Sequence, residues 1–152
     1  MNQLLLASIR DILLRDVAAL IDEVEQMPEE KLWASLPGVT NSVGVLALHC
    51  CGNLRHFIGA ALAADGYQRD REREFSPGAM SRERVLAEIR ITLDALQQAF
   101  SVIEDMDLTR AMPNPPPHHQ GRSIGFFLLQ LSCHLSRHTG QMNYLRRILS
   151  AH

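Results

Sequence analysis

The sequence predicts an all-α fold, a bundle of four long helices, with residues 1–152 as a single domain. Four segments carry apolar residues at steps of three and four, and each is bounded by a helix breaker or a capping residue. No apolar run alternates with a period of two between turn signals, so no strand is predicted. Helices of matched length usually pack side by side, which favours a bundle.

The predicted helices cover about residues 2–27, 42–65, 81–103 and 123–150. Ser42 or Asn41 can cap the second helix, and Gly66 suits its end. Trp33 lies in the first connection, where we expect it to pack against one end of the bundle. The second connection, residues 66–80, is dense in charge. We interpret its run of alternating charges, residues 69–74, as a solvated loop or, alternatively, as a clamp for a substrate carboxylate.

Composition excludes two classes of partner. The formal net charge is -2, without the basic excess of a nucleic-acid-binding protein. The apolar run from Leu4 to Leu6 is soon followed by Arg10 and Asp11. That run is too short for a signal peptide or a membrane span. We therefore expect a cytoplasmic protein that contacts neither nucleic acid nor membrane.

The three cysteines are consistent with a reducing compartment. Cys50 and Cys51 are adjacent, Cys133 lies far along the chain, and no C-x-x-C pair occurs. An odd number of cysteines in this arrangement is a poor disulfide framework. We expect reduced thiols in or near the core.

Two histidines interrupt the apolar stripe of the fourth predicted helix. His134 and His138 are four residues apart, so they share one helix face, and two imidazoles at this spacing can bind one metal ion. Leu135 stands where the zinc-protease motif requires glutamate, which excludes that class of enzyme. The alternative is a pair of hydrogen-bonded core histidines. The stripe consists of Phe127, Leu131, His134, His138, Met142, Leu145 and Leu149.

The second predicted helix offers a third ligand. His49 and His56 lie on its inward face, about 10.5 Å apart along the axis, so both cannot readily bind the same ion. The depth of His49 in the helix favours it, but spacing alone leaves the choice open. Several unpaired imidazoles in a core cost free energy, and a shared cation would satisfy them.

Three stretches of the chain resemble a branch of the DinB-like superfamily. They read LPGVTNSVGVLALHCCGNLRHFIG, RDREREF and HLSRHTGQMNYLRRIL. The H-x-x-x-H-x-G-Q pattern formed by His134, His138, Gly140 and Gln141 is the most specific part. The resemblance implies a DinB-like bundle of the up-down-down-up type with a long crossover connection. It also implies a homodimer and a divalent metal ion bound by His49, His134 and His138.

The resemblance and the ligand set together suggest a chemistry. Three protein ligands leave coordination positions open, as in catalytic zinc sites. Zinc and nickel both suit imidazole ligands. Some members of the superfamily use bacillithiol or mycothiol, as S-transferases or as a maleylpyruvate isomerase. Our leading hypothesis is therefore activation of a low-molecular-weight thiol for S-transfer to an electrophile. The alternatives are a metal-dependent hydrolase and a non-catalytic metal- or ligand-binding stress protein, so whether the chain is an enzyme stays open.

Other polar residues near these positions carry smaller expectations. Asn53 and Gln141 lie one helical turn from His49 and His138 and are candidates to orient a ligand through a hydrogen bond. We expect His56 to pack within the bundle. The neighbouring residues 118 and 119, both histidine, follow a proline cluster, and we interpret them as part of a solvated loop or, alternatively, of the site mouth.

Overall fold

The computed structural model describes residues 2–76, 78 and 80–151, and within them it contains helices and no strand. The all-α prediction is confirmed. Two residues, Ala111 and Ser123, form an isolated antiparallel bridge. The α-helices are α1 (Asn2–Glu25), α2 (Val43–Leu54), α3 (Arg71–Phe75), α4 (Arg82–Val102) and α5 (Ile124–Ser150). Two short 3₁₀ turns, Glu29–Lys31 and Pro117–His119, lie in the connections.

Serine side chains start three of the long helices. Ser42, Ser81 and Ser123 each accept a hydrogen bond from the backbone N–H three residues further on. This bond satisfies one of the free amides of the first turn. The predicted beginnings of these three helices agree with the structure to within one residue.

The second predicted helix differs from the structure in its last third. Regular α-helix ends at Leu54, and Arg55–Ala60 form a π-helical turn instead of continuing as predicted to Asp65. Gly59 lies so close to the Asp65 carboxylate that a Cβ there would be 2.3 Å from Oδ2. Such π-turns inside helices are frequent at functional sites.

Contacts between the helices define an up-down-down-up bundle. Gln3 donates to Asp105 and Arg82 donates to the Met27 carbonyl, so α1 and α4 are antiparallel. Glu23 pairs with Arg146, so α1 and α5 are parallel. α2 runs antiparallel to α5, as two cross-helix pairs show: His49 with His134, and Phe57 with Phe127.

Because α2 and α4 are parallel, the long crossover is the connection between these two helices, which must return along the bundle. The order of the helices explains the length of the first connection as well. α1 lies mainly against α4 and α5, and α2 packs against the same two helices. α1 and α2 are therefore diagonal neighbours, and residues 26–42 must cross one end of the bundle to join them. Trp33 lies in this first connection and donates its Nε1–H to the Met80 carbonyl, 2.9 Å away. Its ring lies against Gly44 at the start of α2, so the predicted packing at one end of the bundle is confirmed.

Two further sequence expectations can be compared with the described residues. None of their helices is long and apolar enough to cross a membrane. Cys50 and Cys51 are buried free thiols, and Cys133 is a free thiol on the surface of α5. Burial raises the pKa of Cys51 to about 12 and also raises that of Cys50, so both thiols stay protonated at neutral pH.

Candidate metal centre

The three histidines proposed as ligands meet in the groove between α2 and α5. His134 Nε2 lies 3.3 Å from His49 Nε2 and 3.1 Å from His138 Nε2. One ligand atom from each residue lies within 4.8 Å of the other two. His49 is buried, whereas His134 and His138 are partly exposed, so solvent reaches the cluster from the α5 side.

Hydrogen bonds on the far side of two rings orient the Nε2 atoms toward each other. His49 Nδ1 lies 3.1 Å from Glu74 Oε2, and His138 Nδ1 lies 2.7 Å from Gln141 Oε1. A carboxylate and an amide oxygen only accept, so each Nδ1 carries the proton and donates it. The Nε2 lone pairs of His49 and His138 are then free to bind a cation.

The spacing of these nitrogens suits a metal ion. Tetrahedral zinc with Zn–N bonds of about 2.0–2.1 Å requires neighbouring nitrogens roughly 3.3 Å apart. Burial, followed by the nearby His138 and His49, lowers the pKa of His134 from 6.5 to about 4. A neutral His134 cannot donate to both neighbours, so facing lone pairs remain that only a cation or an added proton would satisfy.

Glu74 reaches the cluster from the charged connection. Its side chain is buried with 5% exposure, and Arg69 binds both carboxylate oxygens, Nε at 2.6 Å and Nη2 at 2.8 Å. Burial raises the pKa of Glu74, but the hydrogen bonds from Arg69 and His49 outweigh it, so the pKa is lowered overall. The chain thus places a permanent anion behind His49.

The interpretation of residues 69–74 as a solvated loop is therefore wrong for Arg69 and Glu74. Asp70 accepts a hydrogen bond from the Arg73 N–H and starts the short helix α3, which carries Glu74 inward. Arg69 binds this carboxylate of the protein itself, whereas the clamp interpretation expected it to bind a carboxylate of the substrate. One sequence feature could have indicated the burial of Glu74. Gly52, one turn after His49, has no side chain and so leaves room for the Glu74 side chain.

Asn53 and Gln141 occupy different environments. Gln141 accepts from the His138 ring, as described above. Asn53 lies four residues after His49 on the same helix face. Its Oδ1 is buried and has no hydrogen-bond partner among the described residues. An unpaired buried carbonyl is energetically costly.

The remaining histidines lie outside the cluster. The His56 ring lies edge-on to that of the adjacent Phe57, with ring centres 4.7 Å apart, and His56 is half-buried. The His119 ring packs against Phe127, 5.6 Å between centres. Phe127 precedes His134 by nearly two helical turns, or about 10 Å. His118 is exposed, so the structure places 118 and 119 on a loop away from the three histidines.

The surroundings of the cluster are positively charged and partly aromatic. Arg69 and Arg137 both contribute to lowering the pKa of His134. Phe75 lies beside His49, with ring centres 5.2 Å apart, and is 39% exposed. A negatively charged or polarisable ligand would therefore be favoured at this face.

Comparison with known proteins identifies a family. No curated protein matches the chain. The model of the family described as "Protein of unknown function (DUF1572)" matches residues 2–152. The chain therefore belongs to this family, which is a DinB-like domain family.

Proposed function

We propose that this protein is a divalent-metal-dependent enzyme that activates a low-molecular-weight thiol for S-transfer to an electrophile. The observation that carries the proposal is the convergence of three imidazole nitrogens, 3.1 and 3.3 Å apart, at a surface groove. His49, His134 and His138 would be the ligands, and zinc or nickel would suit them. Three protein ligands leave a position for a substrate atom.

The charge balance supports an anionic sulfur ligand. An imidazole that binds a metal ion does so in its neutral form, and the Glu74 carboxylate is balanced by Arg69. A bound divalent ion would therefore keep its positive charge almost uncompensated, with Arg137 adding to it nearby. A cation at this position lowers the pKa of a coordinated thiol and so supplies the thiolate, the stronger nucleophile.

The proposed reaction is a substitution at an electrophilic carbon. The S–H proton passes to solvent, and a sulfur lone pair forms the new C–S bond. The leaving group departs with the electron pair of its own bond to that carbon.

Hydrolysis is less well supported because it needs a general base near the attacking water. Glu74 is the one buried carboxylate beside the cluster among the described residues, and Arg69 and His49 bind it. Its lowered pKa makes it a weak base. Its Oε2 also contacts the Nδ1 side of His49, not the Nε2 side. The thiol reaction depends less on such a base, because a free thiol is already far more acidic than water before it binds the metal.

Elemental analysis and a thiol-transfer assay test the proposal together. Protein purified without chelators should contain about one zinc or nickel ion per chain, and His138→Ala should lose it. His118→Ala, which changes an exposed histidine outside the cluster, is the matched control and should keep the metal.

The metal-loaded protein should accelerate the reaction of cellular thiols with model electrophiles relative to the double variant H134A/H138A. Equal rates for both proteins would contradict the enzyme proposal, and saturable ligand binding without turnover would favour a binding protein.

The resemblance to thiol-dependent relatives also supports a cytoplasmic homodimer as the working form. Light scattering coupled to size exclusion would measure the mass in solution. A mass of one chain at micromolar concentration would exclude the dimer.

A further inference from the structure

A second cavity lies in the same groove as the three histidines. It has a volume of about 470 Å³ and lies between the first connection (residues 26–42), the start of α2 and the end of α5. This volume is within the usual range for small-molecule pockets. Its apolar lining consists of Leu36, Val39, Leu46, Tyr144, Leu145 and Ile148.

The cavity begins one helical turn from the histidine cluster. Leu46 precedes His49 by three residues on α2, and Gln141 follows His138 by three residues on α5. Because α2 and α5 are antiparallel, both steps lead along the groove in the same direction. Three residues correspond to about 4.5 Å along a helix, so the cavity adjoins the cluster. Gln141 belongs to both, since it lines the cavity and accepts the His138 hydrogen bond.

The cavity and the cluster differ in chemistry. Among the residues that the structure describes, no aspartate, glutamate, lysine or arginine lines the cavity. Its outer wall includes the exposed side chains of Tyr144, at 68%, and Ile148, at 45%. The cluster has Arg69 and Arg137 beside it. One ligand that spans both places would carry a metal-binding polar head and an apolar tail or ring.

We propose that this cavity binds the apolar part, an alkyl chain or aromatic ring, of the substrate whose reacting head lies at the metal centre. The position of the reacting head at the metal centre rests on the proposed function. The position of the apolar part rests on the lining of the cavity. Each methylene buried there should tighten binding about fourfold. Chain length would then decide which electrophiles the protein accepts.

Two series of probes test the cavity with and without metal. Linear alkyl hydroxamic acids bind metal through the head, and their dissociation constants for the zinc-loaded protein should fall about fourfold per added methylene. Linear alcohols from propanol to hexanol should show the same trend with the metal-free protein. Their binding should shift the NMR signals of the Leu46, Leu145 and Ile148 methyl groups.

Ile148→Trp fills the cavity and should remove the length dependence in both series. Ile91→Trp is the matched control, because Ile91 is an isoleucine of similar exposure, 48%, on α4, away from the cavity lining. It should leave both series unchanged.

The outcomes separate the two proposals. Hydroxamates that bind equally at every chain length would overturn the cavity inference but would not contradict the metal centre. Alcohols that bind while no hydroxamate does would overturn the metal centre, and with it the proposed function. If a second copy of the chain covers the cavity, alcohols should fail to bind the dimer, and Ile148→Trp should lower the mass in light scattering. That result would also overturn the inference.

Discussion

The Glu74 carboxylate occupies the space that a side chain at position 52 would fill. A Cβ built on Gly52 would lie 2.0 Å from Glu74 Oε1, which is far inside van der Waals contact. The other oxygen of this carboxylate accepts the hydrogen bond from His49. The absence of a side chain at Gly52 therefore allows an anion to approach the far side of a candidate metal ligand.

Replacement of Gly52 by alanine should weaken metal binding. The added methyl group forces Glu74 and α3 away from α2, and His49 loses the acceptor that orients it. Loss of such an outer hydrogen bond typically costs 10- to 100-fold in metal affinity. Competition with a chromogenic chelator would measure the dissociation constant. Gly140→Ala is the matched control, because a Cβ at that helical glycine meets no atom within 4 Å. Equal metal affinity in both variants would contradict the role of Glu74.

A second substitution separates the charge of Glu74 from its volume. Glu74→Gln keeps the shape but leaves the partly buried Arg69 without its anion, so both metal affinity and stability should fall. We expect roughly 10-fold or greater loss of metal affinity. Glu72→Gln, in the same short helix but exposed, should leave the affinity unchanged. Isothermal titration with zinc would compare the two, and a Glu74→Gln protein with wild-type affinity would show that charge at this position is unimportant.

The stability of the metal-free protein should fall with decreasing pH between about 6.5 and 4. His134 has its pKa lowered to about 4 in the folded protein, so in this window the unfolded chain binds the proton more readily. The free energy of unfolding therefore decreases as the pH falls through it. Urea unfolding in the presence of a chelator at several pH values would measure this slope.

His134→Leu removes the titrating group and should make the slope shallower. Leucine suits the position because His134 stands in an apolar stripe of α5. His118→Leu is the control, since His118 is exposed and outside the cluster. Parallel slopes for wild type and His134→Leu would contradict the lowered pKa of His134.

Local patterns were enough to predict most of the fold. The three- and four-residue steps and the serine caps are properties of neighbouring residues, so they located α1, α4, α5 and the start of α2. The π-turn at Arg55–Ala60 was missed because it depends on close packing of Gly59 against Asp65. Short-range periodicity carries no signal for such a contact.

The candidate site, like the fold, could be predicted from the sequence only in part. The spacing of His134 and His138 placed both on one face of α5, but only the resemblance chose His49 over His56. Glu74 escaped prediction because alternating charges in a connection usually remain in solvent. Its burial depends on an approach to α2 that only the three-dimensional structure reveals.

A final prediction concerns the end of the bundle where the first connection, residues 26–42, meets α2. The Trp33 ring lies over Gly44, and a Cβ there would be 2.4 Å from the ring atom Cζ3. Gly44→Ala should therefore displace the ring and break the hydrogen bond from Trp33 to the Met80 carbonyl. Overpacking of this kind typically costs about 1–3 kcal/mol, which outweighs the higher helix propensity of alanine.

Fluorescence can follow this change directly, because Trp33 is the only tryptophan in the chain. The emission of Gly44→Ala should shift to longer wavelength as the ring becomes more hydrated, and the melting temperature should fall. Gly140→Ala, a helical glycine with free space around it, should change neither. An unshifted emission together with an unchanged melting temperature in Gly44→Ala would contradict the packing of Trp33 on Gly44. Metal content should stay at the wild-type level, because the substitution lies more than one helical turn from His49 on α2.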